Sequence, residues 1–159
     1  MKLYMKQKVF SWTDKFEIAD EYGNSRYYVE GELFSWGKKL HIYNNMGHEV
    51  AFIHQKVMSW LPRYFVEIDG AVVATIVKDF TFFRPSYHVE GLPWEMSGDF
   101  WAHDYVMHDG RHEIMRLSKA WFTWGDSYEI DVCDPQKEIL CLSVVLAVDC
   151  AVAQAQNNN

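Results

Sequence analysis

His103, His108 and His112 gather with Asp104 and Asp109 around an Asp109-Gly110 pair, and no other stretch comes closer to a metal-ligand set. A zinc ion needs three or four N, S or O ligands converging tetrahedrally. Asp109-Gly110 reads as a two-residue hairpin turn. Such a turn pairs His108 with Arg111, a cation beside the would-be ligand, and leaves His103 farther back along its strand. The cluster therefore reads as polar dressing of a hairpin, with no metal. Asp99, Asp104 and Asp109 contain the makings of a carboxylate pair, but along a strand their five-residue spacing alternates faces. Cys133, Cys141 and Cys150 are odd in number and lack CxxC spacing, as expected of free thiols in a reducing compartment. The chain carries no GxSxG elbow, HExxH, phosphate loop or GxGxxG. It is expected to be no enzyme and to carry no cofactor.

A different chemistry is suggested where cations stand beside aromatics. Trp36-Gly37-Lys38-Lys39 reads as a loop tip, and Lys56 and Arg63 flank a second turn, Ser59-Trp60-Leu61-Pro62. Lys78 and Arg84 bracket Phe80-Thr81-Phe82-Phe83. A ring that enters the headgroup layer with a cation at its side suits a membrane interface. Trp36, Lys38, Lys39, Lys56, Trp60 and Arg63 are the candidate lipid contacts. The net charge of −7 and pI near 5.4 disfavour broad attraction to nucleic acid or to an anionic bilayer. Met1 to Phe10 lacks an apolar signal core, so a cytoplasmic location, peripheral to a membrane at most, is expected.

The elements that position these side chains are short strands. Lys15-Phe16-Glu17-Ile18, Tyr87-His88-Val89-Glu90 and Ser127 to Val132 alternate with period two, and 16% of residues are aromatic. Tyr22-Gly23-Asn24, Met46-Gly47, Asp69-Gly70 and Asp109-Gly110 separate such runs, as an antiparallel meander requires. One internal repeat is visible. His48-Glu49-Val50 leading to Trp60 and Tyr64–Asp69 matches His112-Glu113-Ile114 leading to Trp124 and Tyr128–Asp131, which implies two halves built on one hairpin plan. A single domain over residues 1–159 follows, with strands from about 3 to 132.

Residues 139–153 differ in kind, being apolar almost all the way round. Asp134 and Pro135 supply a cap and a first turn for a helix over about 135–156. At a rise of about 1.5 Å per residue its apolar part covers roughly 22 Å, short of a hydrocarbon core. Asp149 would also be costly inside a bilayer. A helix apolar on every face and too short to span must be surrounded by protein, here the inside of a barrel. The carboxyl of Asp149 then needs a partner, and a strand Arg, Tyr or Trp bonding it would clamp the helix's rotation.

Gln7 to Phe16 (QKVFSWTDKF), Tyr28 to Ser35 (YVEGELFS), Gln55-Lys56 and Leu146 to Asp149 (LAVD) together resemble the LURP-one-related family, over nearly the whole chain. That family shares the tubby C-terminal-like fold with tubby proteins and phospholipid scramblases. The resemblance implies a mainly β fold: a closed antiparallel barrel of about twelve strands around a central hydrophobic C-terminal α-helix. It also implies a non-enzymatic binding module whose partner is a phospholipid headgroup or membrane surface. Tubby domains bind phosphoinositides through surface basic residues, and no such motif maps onto this chain. The competing expectation is a protein–protein interaction or scaffold domain, homo-oligomeric or not.

Overall fold

A computed structural model describes residues 1–6, 15–32, 35–120 and 127–157. The chain forms twelve strands and a terminal helix: β1 (Lys2–Lys6), β2 (Lys15–Asp20), β3 (Ser25–Gly31), β4 (Lys39–Asn44), β5 (Glu49–Gln55), β6 (Arg63–Ile68), β7 (Ala71–Lys78), β8 (Tyr87–Glu90), β9 (Trp94–Asp99), β10 (Asp104–Asp109), β11 (His112–Ala120), β12 (Ser127–Val132) and α1 (Glu138–Asn157). Every neighbouring pair is antiparallel, and β1 pairs with β12 to bring the two ends of the chain together. The sheet order runs from β8 through β1 and β12 to β9. Its two edges, β8 and β9, lie side by side without a hydrogen-bonded ladder, leaving one seam in a nearly closed barrel.

Alternation decides which side chains face inward. Leu3, Ile18, Val29, Ile42, Ile53, Val66, Ile76, Met107, Leu117 and Ile130 are all fully buried, one from each of ten strands. Closure of the sheet leaves an interior too apolar for water, and α1 fills it. Leu142, Val144, Val145, Leu146, Ala147, Val148, Ala151 and Val152 are buried on every face of the helix. By length and mean hydropathy (1.9) the segment Pro135–Asn157 passes as a membrane span, yet 83% of its apolar 18-residue stretch is buried within the protein. It is the barrel's core. Asp134 starts a single 3₁₀ turn, Pro135–Lys137, by accepting the Gln136 N–H, and the α-helix follows from Glu138.

Two sets of hydrogen bonds fix the helix in rotation. At its start the half-exposed Arg26 of β3 donates to the buried Glu138 through Nε (2.5 Å) and Nη2 (3.0 Å). Near its end Tyr64 donates to Gln154 Oε1 at 2.8 Å, and Gln55 donates to the same oxygen at 3.1 Å.

The repeat corresponds to two hairpins, β5–β6 and β11–β12, separated by half the barrel. Trp124, residues 7–14 of the family resemblance and Leu33-Phe34 lie outside the described residues. Two expectations need correction. His108 does not face Arg111: a register shift between Met107 and His108 pairs it with Glu113, and Asp109 pairs with His112 around Gly110-Arg111. Asp99 and Asp104 do not alternate along one strand but are direct cross-strand partners, because a turn at 100–103 separates β9 from β10.

That hairpin depends on Gly98, which has φ +139° and approaches β10 so closely that an added Cβ would lie 2.5 Å from the Asp104 carbonyl oxygen. The obstruction is backbone and cannot swing aside. Gly98→Ala is expected to cost about 1–3 kcal/mol in chemical denaturation, from overpacking and backbone strain together.

Candidate functional site

In an antiparallel meander, alternate connections lie at the same end of the barrel. One end carries the connections at 21–24, 45–48, 69–70, 91–93 and 110–111, all short and glycine-containing, with Tyr22 and Met46 exposed among them. The opposite end carries the connections β3–β4, β5–β6, β7–β8 and β9–β10, and here the apolar side chains face solvent. Trp36 is 84% exposed, Trp60 94%, Phe82 84% and Phe83 96%. Val57, Met58, Phe80 and Trp101 are exposed on the same connections. The C-terminal end of α1 arrives at this rim too.

The β3–β4 and β5–β6 tips are held against each other. Lys38 donates its N–H to Gln55 Oε1 at 3.1 Å, and its carbonyl accepts the Gln55 N–H at 2.8 Å. Gly37 takes φ +79°, and a Cβ there would crowd Gln55 and Val57 at 3.3 Å. The structure thus brings Trp36, Lys38, Lys56 and Trp60 together on one rim. Lys39 and Arg63 are anchored lower, in ion pairs with Glu32 (3.2 Å) and Glu90 (3.0 Å). The candidate lipid contacts fall at this end, and the rim extends past them to Met58, the Phe80–Phe83 tip and Trp101.

Below the rim, the outer face of β4–β6 is covered by a stacked ladder. His41 lies on Phe52 (4.6 Å between centroids), Phe52 on His54 (5.1 Å) and His54 against Phe65 (5.2 Å). His41 also bridges Glu32 and Glu49, at 2.9 and 2.7 Å. These aromatics are spent on one another, whereas on the rim Phe80 packs edge-on to Phe82 at 5.2 Å with both rings still exposed.

The histidine cluster is divided by the length of β10. His103 lies at the rim end with its ring inside the barrel, while His108 and His112 lie at the far end. Among the described residues no group of three or more His, Cys, Asp or Glu is placed to hold a metal. Cys133 is exposed at the end away from the rim, and Cys141 and Cys150 are buried in α1.

Asp149 is buried in the middle of α1, with one carboxylate oxygen 3.5 Å from His103 Nε2. Both its oxygens lack a hydrogen-bond partner. Burial pushes the carboxyl well above the usual carboxylate range and pushes the His103 imidazole down. Each shift favours the neutral form, so the contact is one between uncharged groups rather than a salt bridge. His103 is otherwise held by the Trp101 backbone and by stacking on Tyr128 at 4.7 Å. A clamping role for Asp149 would act through that one contact. The Tyr87 hydroxyl, buried on the edge strand β8, is pushed up to about 12 by desolvation.

A family model described as LURP-one-related matches residues 1–149. The chain belongs to the LURP-one-related family. It is 37% identical to the uncharacterised protein YxjI of Bacillus subtilis over 149 residues, covering 94% of this chain and 92% of that one. The X-ray structure of an Arabidopsis thaliana protein superposes with a TM-score of 0.62, covering 93% of this chain and 89% of that one, at 13% identity. That likeness carries the fold alone. Family and fold are thereby established for this LURP-one-related domain, and the arrangement of its rim bears on its role.

Proposed function

We propose that this LURP-one-related domain is a non-enzymatic binding module that docks on a phospholipid surface through the apolar rim of its barrel. The observation that supports this is the concentration of solvent-facing aromatics at one end, where Trp36, Trp60, Phe80, Phe82, Phe83 and Trp101 are exposed, against Tyr22 at the other. Exposed apolar residues scattered singly are ordinary, whereas a contiguous set marks an interaction surface. Trp and Phe at loop tips, with Lys38, Lys56 and Arg84 interleaved, match the apolar body and polar border of a membrane interface. Among the described residues the turns of the opposite rim expose only Tyr22 and Met46 as large apolar side chains, too few and too separate for a docking face, so docking has one polarity. With a net charge of −7 the attraction rests on ring insertion more than on the field of an anionic bilayer.

Co-sedimentation with neutral, anionic and phosphoinositide-containing vesicles, at low and physiological salt, tests the reading. Binding is expected to survive physiological salt, because burial of apolar surface is not screened. Changing Trp36 and Trp60 to Ala together is expected to lower partitioning at least about tenfold, since each buried large side chain is worth about 1.5–3 kcal/mol. Absence of vesicle binding at either salt removes the membrane reading and puts a protein partner for the same rim in first place.

A further inference from the structure

At the rim, beside the β8–β9 seam, lies a cleft of about 430 Å³, within the size range of small-ligand sites. One wall is the β7–β8 tip with Phe83 and Arg84, and the other is the β9–β10 turn with Asp99, Phe100 and Trp101. Arg84 is exposed, and its backbone carbonyl accepts the Thr81 hydroxyl at 2.6 Å, which sets the tip while leaving the guanidinium without a partner among the described residues. Asp99 spends one carboxylate oxygen on the Ala102 N–H at 3.0 Å and keeps the other. The two opposite charges line one cleft without forming an ion pair. Phe83 and Trp101 stand beside them with exposed rings.

We infer that this cleft takes the zwitterionic headgroup of a phospholipid, with the phosphodiester on Arg84 and the ammonium on Asp99 and the aromatic faces. A guanidinium fork matches two phosphate oxygens. An ammonium group is bound by a carboxylate and by ring faces through the same electrostatics. The lack of Arg84–Asp99 pairing means neither charge must be stripped from the other before a ligand enters. A headgroup of no net charge also meets no repulsion from a protein carrying −7. The inference rests on the membrane reading and names the lipid class that reading would involve.

The probes are monomeric dihexanoylphosphatidylcholine, glycerophosphocholine and inorganic phosphate in titration calorimetry, and phosphatidylcholine against phosphatidylglycerol vesicles in co-sedimentation. The variants are Arg84→Gln and Asp99→Asn, the second of which keeps the acceptor for Ala102. Both side chains are exposed, and unchanged thermal unfolding confirms folding. The monomeric lipid is expected to bind and glycerophosphocholine to bind more weakly. Each variant should weaken both about tenfold, and phosphatidylcholine vesicles should be preferred. Vesicle binding that ignores lipid class and both variants, but is lost in the Trp36/Trp60 double variant, overturns the headgroup site and leaves the membrane reading standing. Phosphate binding as well as the lipid does reduces the cleft to an anion site and also overturns it. Glycerophosphocholine binding without lipid binding does the same, by pointing to a soluble ligand. Absence of all vesicle binding removes the membrane reading itself.

Discussion

A chain lacking residues 138–159 is expected to show no cooperative unfolding transition. Ten apolar residues of α1 between Cys141 and Val152 are at most 2% exposed: Cys141, Leu142, Val144, Val145, Leu146, Ala147, Val148, Cys150, Ala151 and Val152. Removing them exposes both their own surface and the strand side chains that pack on them, among them the fully buried Ile53, Val66 and Ile76. At about 25 cal/mol per Å² of apolar surface, several large side chains already equal the 5–15 kcal/mol that holds a domain together. A barrel emptied of its core cannot collapse to fill a void of that size without breaking its ladder. Far-UV circular dichroism through a denaturant titration reads the result. A truncated chain that stays monomeric and unfolds in one sharp transition would show that the sheet is stable alone, contrary to the plugged-barrel account.

The second large effect concerns Asp149→Asn. Because the folded-state carboxyl titrates well above its ordinary range, the native protein keeps a proton that the unfolded chain releases. Stability from this residue is complete below the ordinary carboxylate pKa and is lost as pH rises toward the folded value, at about 1.4 kcal/mol per pH unit. Asn does not titrate. The variant is therefore expected to match the wild type near the acid end and to gain on it steadily through neutral pH. His103 contributes in the opposite sense, its stability being lost as pH falls below the ordinary imidazole range. Tyr105 and Cys150 face the same carboxyl, and burial raises both, so they stay neutral over this window. Urea unfolding at a series of pH values measures the difference. A variant less stable than the wild type at every pH would instead show that Asp149 clamps the helix through His103.

The helix was legible because its all-round apolarity, its shortness and Asp149 together admit few surroundings besides a protein interior. The turns at Gly23, Gly47, Gly70 and Gly110 announced themselves through residues that tolerate positive φ. The β9–β10 turn did not. Its left-handed position is taken by His103, at φ 54°, where a Gly or Asn would have been the signal, so Asp99 and Asp104 read as points on one strand. The bulge beside His108 was hidden for a similar reason, since no glycine marks it. Trp36, Lys56 and Trp60 were singled out from cation–aromatic adjacency alone. Met58 and Trp101 escaped because their membership of the rim follows from strand parity around the barrel, not from neighbours in the sequence. The uncommon partner of Asp149 was equally out of reach, being supplied by a residue 46 positions away in that unmarked turn.

The most direct test of docking through one rim uses an environment-sensitive nitrobenzoxadiazole fluorophore at two alternative positions. One is Trp60→Cys in a Cys133→Ser background, and the other is native Cys133, exposed at the opposite end. The rim label is expected to shift to the blue and brighten on adding phosphatidylcholine vesicles, while the label on Cys133 stays as it is in water. Equal responses from both ends, or none from the rim while the protein still co-sediments, would contradict docking through the aromatic rim.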